Sequence, residues 1–321
     1  MRLLVLGGTR FVGRALVAEA LARGHDVTAL NRGTAPLPEG VELLQADRTD
    51  VDALGRALRG RWFDGVVDTW AGAPSVARDA ARLVDAERKA YVSSQSVYVW
   101  EQHVDESSPL VEASPDAGAT DYAADKRGGE LAWGDDALLL RAGLILGPHE
   151  DIGRLPWWLQ RTSEGGRVVA PGRPDRPLQY VDARDLAAFG LDLLERGTTG
   201  GVDVTSRSGH ATTRTLLEAC VATTGSDAEL VWCDEQRLAA AGAEPWTHLP
   251  CWVPEEGEFA GFLEGDVARA HGLGLSCRPV EETVADTWAW LQRDGWPAQR
   301  PDRAVHGLPR EVEQSLLSEH D

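Results

Sequence analysis

The chain opens with residues 1–13, MRLLVLGGTRFVG, and this stretch decides the fold. Its apolar run at residues 3–6 predicts a short strand buried on both faces, as in a parallel sheet. Glycines follow, and residues 14–23 then predict a helix that stops at Gly24. Strand, glycine turn and helix in this order are typical of dinucleotide binding, because the free N–H groups at the helix N-terminus favour a pyrophosphate.

The glycine turn departs from the usual G-x-G-x-x-G spacing. It is closer to G-x-x-G-x-x-G, and Arg10 stands where the middle glycine would be. A glycine turn after a strand is more often ordinary turn chemistry, so the remaining chain must decide whether this turn holds a cofactor.

The end of the second predicted strand, residues 26–30, bears on the choice of cofactor. An acid at this point would accept a bond from the 2′-hydroxyl of NAD, whereas an arginine accommodates the 2′-phosphate of NADP. The chain has Asn31-Arg32-Gly33 here and no acid. Arg10 would lie across the same adenosine end, and two guanidinium groups can clamp a phosphate. We therefore predict NADP(H), with NAD(H) and two solvated loop arginines as the alternatives.

Further short apolar runs predict a parallel, doubly wound α/β sheet. The runs are at residues 41–46, 65–68 and 89–94, and helices are predicted between them at 51–59 and 75–87. Ligands of such sheets bind at the carboxyl edge of the strands. Asp47 at this edge is in position to accept a bond from an adenine amino group. The side chains predicted at the edge are Thr9, Asn31, Asp47, Trp70 and Ser94.

A helix predicted from Asp121 towards Trp133 carries the second motif, Tyr122-Ala-Ala-Asp-Lys126. Residues four apart share one face of a helix. A free phenol has a pKa of about 10 and is a poor base at neutral pH, but a neighbouring ammonium favours the phenolate. The spacing therefore indicates acid–base chemistry, and a solvated surface helix is the alternative.

These segments together resemble an extended or atypical short-chain dehydrogenase/reductase of the NAD-dependent epimerase/dehydratase group. The matching pieces are GGTRFVG at 7–13, NRG at 31–33, SSQSVY at 93–98, YAADK at 122–126, RAGLILGP at 141–148 and QYVDARDLA at 179–187. The GGTR start is similar to an atypical subgroup that includes chloroplast stem-loop-binding proteins. The resemblance implies a seven-stranded Rossmann sheet and a smaller C-terminal lobe that binds substrate.

The resemblance also implies site residues. Tyr122 would be the general acid or base, Ser94 rather than Ser93 would bond the substrate oxygen, and Lys126 would hold the nicotinamide ribose. Cofactor contacts are expected at Gly7, Thr9, Arg10, Phe11, Val12, Gly13, Asn31, Arg32, Asp47, Arg48, Thr69, Trp70, Ala71, Tyr122, Lys126 and Gly143. Substrate contacts are expected at Ser96, Trp157 and Arg176.

Two departures from the family pattern concern the substrate. Sugar-nucleotide dehydratases carry an Asp-Glu pair after the catalytic hydroxyl residue, where this chain has Gln95 and Ser96. Nucleotide-sugar epimerases use an asparagine near the end of the sixth strand, where this chain has Leu144. Both changes argue against a nucleotide-sugar substrate.

The predicted domains are a Rossmann domain, a substrate lobe and a tail. The Rossmann domain is residues 1–150, to which residues 176–205 return. The substrate-binding lobe is residues 151–175 and 206–295, and residues 296–321 form a tail with a short helix. Tryptophans in the lobe suit either an aromatic pocket or a small core.

Composition excludes several classes of function. The chain has 321 residues, a net charge of −19 and 43% hydrophobic residues. This charge disfavours nucleic acid and anionic membrane as partners. Neither the four cysteines nor the histidines show metal-site spacing, so no metal is expected. No apolar run is long enough to span a membrane, and the first strand leaves no room for a signal peptide, so we expect a cytoplasmic protein. A monomer or homodimer acting on a small molecule is predicted.

Three functions remain after these considerations. The leading one is an NADP(H)-dependent oxidoreductase that transfers hydride to or from a carbonyl or hydroxyl carbon of a small molecule or sugar. The second is a sugar epimerase that retains its NAD(P). The third is a non-catalytic nucleotide sensor or RNA-associated protein, against which the Tyr-x-x-x-Lys motif and the net charge argue.

Overall fold

A computed structural model describes residues 1–100, 104–257, 259–300 and 303–318. Its centre is a parallel sheet of seven strands in the order β10-β6-β5-β4-β1-β2-β3. These strands are β1 (Arg2–Leu6), β2 (Asp26–Asn31), β3 (Glu42–Gln45), β4 (Phe63–Asp68), β5 (Ala86–Ser94), β6 (Leu138–Ala142) and β10 (Gly200–Val204). Leu3 to Leu6 are completely buried. The predicted Rossmann sheet is confirmed.

Helices cover both faces of the sheet. On one face, α1 (Phe11–Ala22) packs against α6 (Ala183–Glu195), and their leucines and alanines share one core with the sheet. On the other face lie α2 (Val51–Leu58), α3 (Pro74–Leu83) and α4 (Tyr122–Trp133), over a second core. The sheet is therefore doubly wound, and the turns after its strands meet at one edge.

Some predicted boundaries are wrong. The helix predicted at 75–87 is α3 and ends at Leu83, because Val84 turns to an extended conformation and its side chain is buried. Strand β5 begins at Ala86, three residues before the predicted start. Helix α1 begins at Phe11, directly after the glycine turn, rather than at residue 14. No glycine or proline marks the end of α3 or the start of β5 in the sequence.

The remaining elements surround a third core, which contains Trp158, Leu217, Cys233 and Trp252. Two small parallel sheets pair β7 (Leu144–Leu146) with β9 (Tyr180–Asp182), and β8 (Arg167–Pro171) with β11 (Glu229–Cys233). The helices are α5 (Arg154–Ser163), α7 (Thr213–Thr224), α8 (Glu235–Ala240), α9 (Ala268–Gly272), α10 (Val280–Asp294) and α11 (Arg310–Ser318). In the described part of the chain, no helix combines the length and apolar character needed to cross a bilayer.

The short helix predicted in the tail is α11, and it docks on the third core. Leu316 is buried there, and Glu313 accepts two hydrogen bonds from Nε of buried Arg161, at 2.8 and 3.0 Å. Residues 301–302 and 319–321 of the predicted tail lie outside the described residues. The tail is thus held at its C-terminal end by packing and by a buried ion pair.

Candidate active site

The turn after β1 is closed so tightly that side chains do not fit. Gly7 and Gly8 have φ values of 121° and 93°, which favour glycine. A Cβ on Gly13 would lie 2.6 Å from the backbone nitrogen of Gly8, and a Cβ on Gly7 would collide with the hydroxyl of Thr69. Thr69 itself donates from its hydroxyl to the carbonyl of Leu6 at 3.0 Å. The glycines therefore allow the turn to pack directly against the start of α1 and the turn after β4.

Helix α1 leaves its N-terminal N–H groups available. Arg10 is the N-cap residue, and its side chain makes no capping hydrogen bond. The first turn, which begins with Phe11, Val12 and Gly13, contains no acidic residue. A twelve-residue helix with free first-turn N–H groups next to a glycine cradle fits the pyrophosphate of a dinucleotide.

The segment after β2 is shaped by Asn31. Its amide nitrogen donates to the carbonyl of Gly7 at 3.4 Å, and its amide oxygen accepts from the N–H of Gly33 at 2.7 Å. The side chain of Arg32 between them is exposed. Arg10 lies 3.6 Å from Asp151 and is also largely exposed. Both predicted phosphate-binding arginines therefore lie at the surface on this edge of the sheet.

The segment after β3 places two neighbouring predicted cofactor residues in different surroundings. Asp47 accepts from the N–H and hydroxyl of Thr49, and these bonds lower the pKa of the Asp47 carboxyl. Arg48 turns inward and bonds both oxygens of Asp68, at 2.6 and 2.8 Å. Asp68 is completely buried and also accepts from Nε1 of Trp133. The guanidinium of Arg48 is thus bound within the protein, against the ring of Trp70.

Helix α4 carries the Tyr-x-x-x-Lys motif. Asp121 caps its N-terminus by accepting from the N–H of Ala124 at 3.0 Å. Tyr122 is the first residue of the helix and is 42% exposed. One turn later, Lys126 is buried, and its Nζ donates to the carbonyls of Trp70 at 2.6 Å and Val92 at 2.7 Å. Because Val92 is on β5, the motif lies beside the strand that ends at Ser94.

The surroundings of Lys126 lower the pKa of its ammonium group. Burial lowers the pKa of the ammonium to about 7, and the positive charge of Arg303 acts in the same direction. The negative charges of Asp68 and Glu130 oppose this shift. Lysine has three N–H donors, of which the two backbone carbonyls take two. Nζ also lies 4.8 Å from the ring centroid of Tyr91.

The two serines at the end of β5 have different partners. The hydroxyl of Ser93 donates to the buried carboxylate of Glu130 at 2.7 Å. Ser94, on the opposite face of the strand, contacts the hydroxyl of Ser96 at 3.1 Å and accepts from its N–H. Ser93 is therefore bound inside the protein, which leaves Ser94 and Ser96 as the hydroxyl pair at the strand end.

A buried polar network extends from Glu130 across the sheet. Arg141 bonds Glu130 at 2.8 Å and donates to the hydroxyl of Tyr98 at 2.9 Å, and Tyr98 in turn donates to Asp203 at 2.8 Å. Burial raises the pKa of Asp203 to about 7, and the charge of Glu106 adds to this shift. The network fixes the relative positions of β5, β6 and β10 under the site.

The remaining predicted residues lie apart from this centre or pack tightly against it. Gly143 follows β6, and a Cβ there would lie 2.8 Å from the side-chain oxygen of Gln95. Arg176 is buried and donates to the carbonyls of Pro254 and Ala260, so it anchors that segment of the lobe. Trp157 packs against Trp158 and lies under Gly307. Ala71 lies in the turn after β4, next to Trp70.

Sequence reasoning missed two functional candidates. Asp68 ends an apolar strand, and an acid at that place is a signal that a buried partner is needed. Arg303 has its guanidinium carbon 5.6 Å from the ring centroid of Tyr122. It comes from the predicted tail, and no sequence pattern links it to Tyr122.

Comparison with known proteins shows to which family this chain belongs. The model of the NAD dependent epimerase/dehydratase family matches residues 3–204. The chain belongs to this family. The resemblance to extended short-chain dehydrogenases/reductases is thereby confirmed, whereas the GGTR subgroup stays a prediction.

The chain is similar to curated proteins that are named as reductases. The 2′-dehydrokanamycin reductase of Streptomyces kanamyceticus is 30% identical over 224 residues, which are 65% of this chain and 62% of that protein. The 2-alkyl-3-oxoalkanoate reductase of Stenotrophomonas maltophilia is 32% identical over 216 residues, 59% of this chain and 64% of that protein. The chain thus matches less than two thirds of the length of each.

A solved structure shows the same fold over nearly the whole chain. The Bordetella bronchiseptica enzyme WbmG, crystallised with NAD and UDP, superposes with a TM-score of 0.68. The alignment covers 92% of this chain and 95% of WbmG at 19% identity. The likeness therefore extends through the lobe as well as the seven-stranded sheet.

Proposed function

We propose that this protein is an NADP(H)-dependent oxidoreductase that uses Tyr122 as its general acid or base. The observation that carries the proposal is the position of buried Lys126. It lies one helical turn after Tyr122 and is bonded to β5 two residues before Ser94. The reductase names of the two curated relatives support hydride transfer to a carbonyl.

Each residue has a distinct task in this proposal. The first-turn N–H groups of α1 and the glycine turn hold the pyrophosphate, and Lys126 holds the nicotinamide ribose with its third N–H. The nicotinamide supplies or accepts the hydride when it is bound. Tyr122 transfers a proton to or from the substrate oxygen, and Ser94 donates a hydrogen bond to that oxygen. The rigid network behind β5 keeps these groups aligned.

The choice of NADP(H) rests on the arginines. Arg32 is exposed directly after β2, where a dinucleotide fold meets the adenosine ribose. Arg10 is exposed directly after the glycine turn and would assist; its described ion-pair partner is Asp151, at 3.6 Å. Arg48 is bound to Asp68, so we do not assign it to the 2′-phosphate.

The experiment compares variants at three positions in an NADPH-dependent assay on a panel of aldehydes and ketones. Tyr122→Phe and Ser94→Ala each remove a reacting hydroxyl, and turnover should fall by roughly 10²- to 10⁴-fold. Ser163→Ala, at an exposed serine on α5, is the matched control and should keep most of the activity. Full turnover by Tyr122→Phe would show that the mechanism is wrong. Purified protein carrying oxidised cofactor with no net reduction would favour the epimerase alternative.

A further inference from the structure

A second tyrosine lies beside the lysine of the Tyr-x-x-x-Lys motif. Tyr91 is on β5, one residue before Val92, and its side chain is completely buried. Burial raises the pKa of the Tyr91 hydroxyl well above its usual value, and the negative charge of Asp68 adds to this shift. Tyr91 is therefore neutral and has no surface for a substrate, so it does not share the acid–base role proposed for the exposed Tyr122.

The face of the Tyr91 ring is a partner of the Lys126 ammonium. Nζ lies 4.8 Å from the ring centroid, which is within the range of a cation–π contact. Such a contact acts on the whole charge and does not use up an N–H donor. It is therefore compatible with the bonds from Nζ to the carbonyls of Trp70 and Val92. The ring thus offsets part of the cost of burying the charge.

Two contacts fix the ring in this place. The Tyr91 hydroxyl donates to the carbonyl of Trp70 at 2.9 Å, and this is the carbonyl that also accepts from Lys126. On the side of α4, a Cβ on Gly129 would collide with the hydroxyl end of the Tyr91 ring. Glycine is unfavourable inside a helix, and here it allows α4 to close directly on that ring.

Charged groups on several elements also act on Lys126. Burial lowers the pKa of its ammonium to about 7, and the positive charges of Arg303 and Arg48 act in the same direction. Asp68 at the end of β4 and Glu130 on α4 oppose this shift. The ammonium is therefore close to losing its proton at neutral pH. A neutral ring that stabilises the charge then decides how much of the protein carries it.

We propose that Tyr91 is a positioning residue whose ring keeps Lys126 charged beside Tyr122. The charge has two uses in the proposed function, on which this inference rests. An ammonium next to a phenol favours the phenolate, and a charged Lys126 is a stronger donor to the nicotinamide ribose than a neutral amine. The contact between ring and ammonium is testable without cofactor or substrate.

The test follows the protonation of Lys126 by ¹³C NMR of protein that contains lysine labelled at Cε. The chain has two lysines, and Lys89→Arg assigns their two signals. Tyr91→Met removes the ring and should lower the pH midpoint of the Lys126 signal by about half a pH unit or more. Tyr91→Phe keeps the ring and should stay within about 0.2 pH units of wild type.

Tyr180 on β9 provides the matched control. It is also completely buried, and its hydroxyl also donates to a backbone carbonyl, that of Arg278, at 2.9 Å. Tyr180→Met therefore removes a comparable ring from another core and should leave the Lys126 midpoint at its wild-type value. A second substitution keeps the test independent of whether Tyr91→Met folds. Replacing Tyr91 by para-fluorophenylalanine puts fluorine in the place of the hydroxyl and weakens the ring face, so the midpoint should lie below that of Tyr91→Phe.

Four results would overturn the inference. They are an unchanged or raised midpoint in Tyr91→Met, equal shifts in Tyr91→Met and Tyr91→Phe, equal shifts in Tyr91→Met and Tyr180→Met, and equal midpoints for phenylalanine and its fluorinated form at position 91. The proposed function fails separately. If wild-type protein does not bind NADPH, or if Tyr122→Phe keeps full turnover, the oxidoreductase proposal is wrong whatever the Lys126 signal shows.

Discussion

Two arginines that follow adjacent strands show how residue type alone can mislead. Arg32 and Arg48 both stand one or more positions after a strand at the same sheet edge. The structure leaves Arg32 exposed and binds Arg48 to buried Asp68. The sequence could not separate them, because the partner of Arg48 is on β4 and is recognisable only once the sheet order is known.

Arg48→Gln should destabilise the protein. Removing one partner leaves a buried carboxylate without its counter-charge, which costs about 3 kcal/mol or more. The bond from Trp133 Nε1 to Asp68 remains and reduces the loss. Urea denaturation followed by tryptophan fluorescence measures the change. The exposed Arg32→Gln is the matched control and should shift the free energy of unfolding by less than about 0.5 kcal/mol. Equal stability of the two variants would contradict the assigned roles.

Asp203 should make stability depend on pH. Its pKa is raised to about 7 in the folded protein, from about 4 in an unfolded chain. Its contribution is therefore fully present below about pH 4 and is lost as pH rises through about 7. Asp203→Asn keeps an acceptor for Tyr98 and carries no charge. Wild type should lose roughly 1–3 kcal/mol relative to this variant between pH 5 and pH 8, in parallel urea titrations. An unchanged difference across this range would exclude the effect.

At the scale of elements, the glycine turn and α4 are the best-predicted parts. A strand buried on both faces can be predicted from a continuous apolar run alone. That Tyr122 and Lys126 share one face can be predicted from the helical periodicity alone. Boundaries were harder where no glycine or proline occurs. Helix α3 ends at Leu83 because Val84 packs into the core beside β5, and such a tertiary contact leaves no local signal.

Gly13→Ala should disable the turn. The added Cβ would lie 2.6 Å from the backbone nitrogen of Gly8, and backbone cannot move aside as a flexible side chain can. We expect at least a hundredfold loss of NADPH affinity, equivalent to about 2.7 kcal/mol. Gly118→Ala is the control, since nothing lies within 4 Å of its added Cβ. NADPH fluorescence titration measures both variants, and wild-type affinity in Gly13→Ala would refute this account of the turn.

For the whole molecule, the parts that sequence reasoning missed are those that join distant segments. Arg303 meets Tyr122, and Glu313 meets Arg161, only because the chain after α10 returns over the lobe. A Pro/Arg-rich segment without periodicity predicts a linker. No spacing of residues in the sequence indicates which distant side chains such a segment contacts. The Rossmann sheet was predictable because each of its repeating units carries its own signal.

Glu313→Gln should loosen the docking of α11. Both residues of the Arg161–Glu313 pair are buried, and the neutral amide leaves the guanidinium with Glu164, 3.9 Å away, as its described acidic neighbour. A loss of about 2–3 kcal/mol in the free energy of unfolding is expected, measured by urea denaturation. Glu311→Gln, on the exposed side of the same helix, is the control. Equal stability of the two variants would show that this pair does not hold the helix.

The central claim is that the edge of the sheet binds NADP(H). Its most direct measurement is the pair of dissociation constants for NADPH and NADH, determined by nicotinamide fluorescence with wild type and with Arg32→Gln. We expect wild type to bind NADPH at least about tenfold more tightly than NADH, and Arg32→Gln to lose that preference while its affinity for NADH is unchanged. Equal or tighter binding of NADH by wild type, or no binding of either cofactor, would contradict the claim.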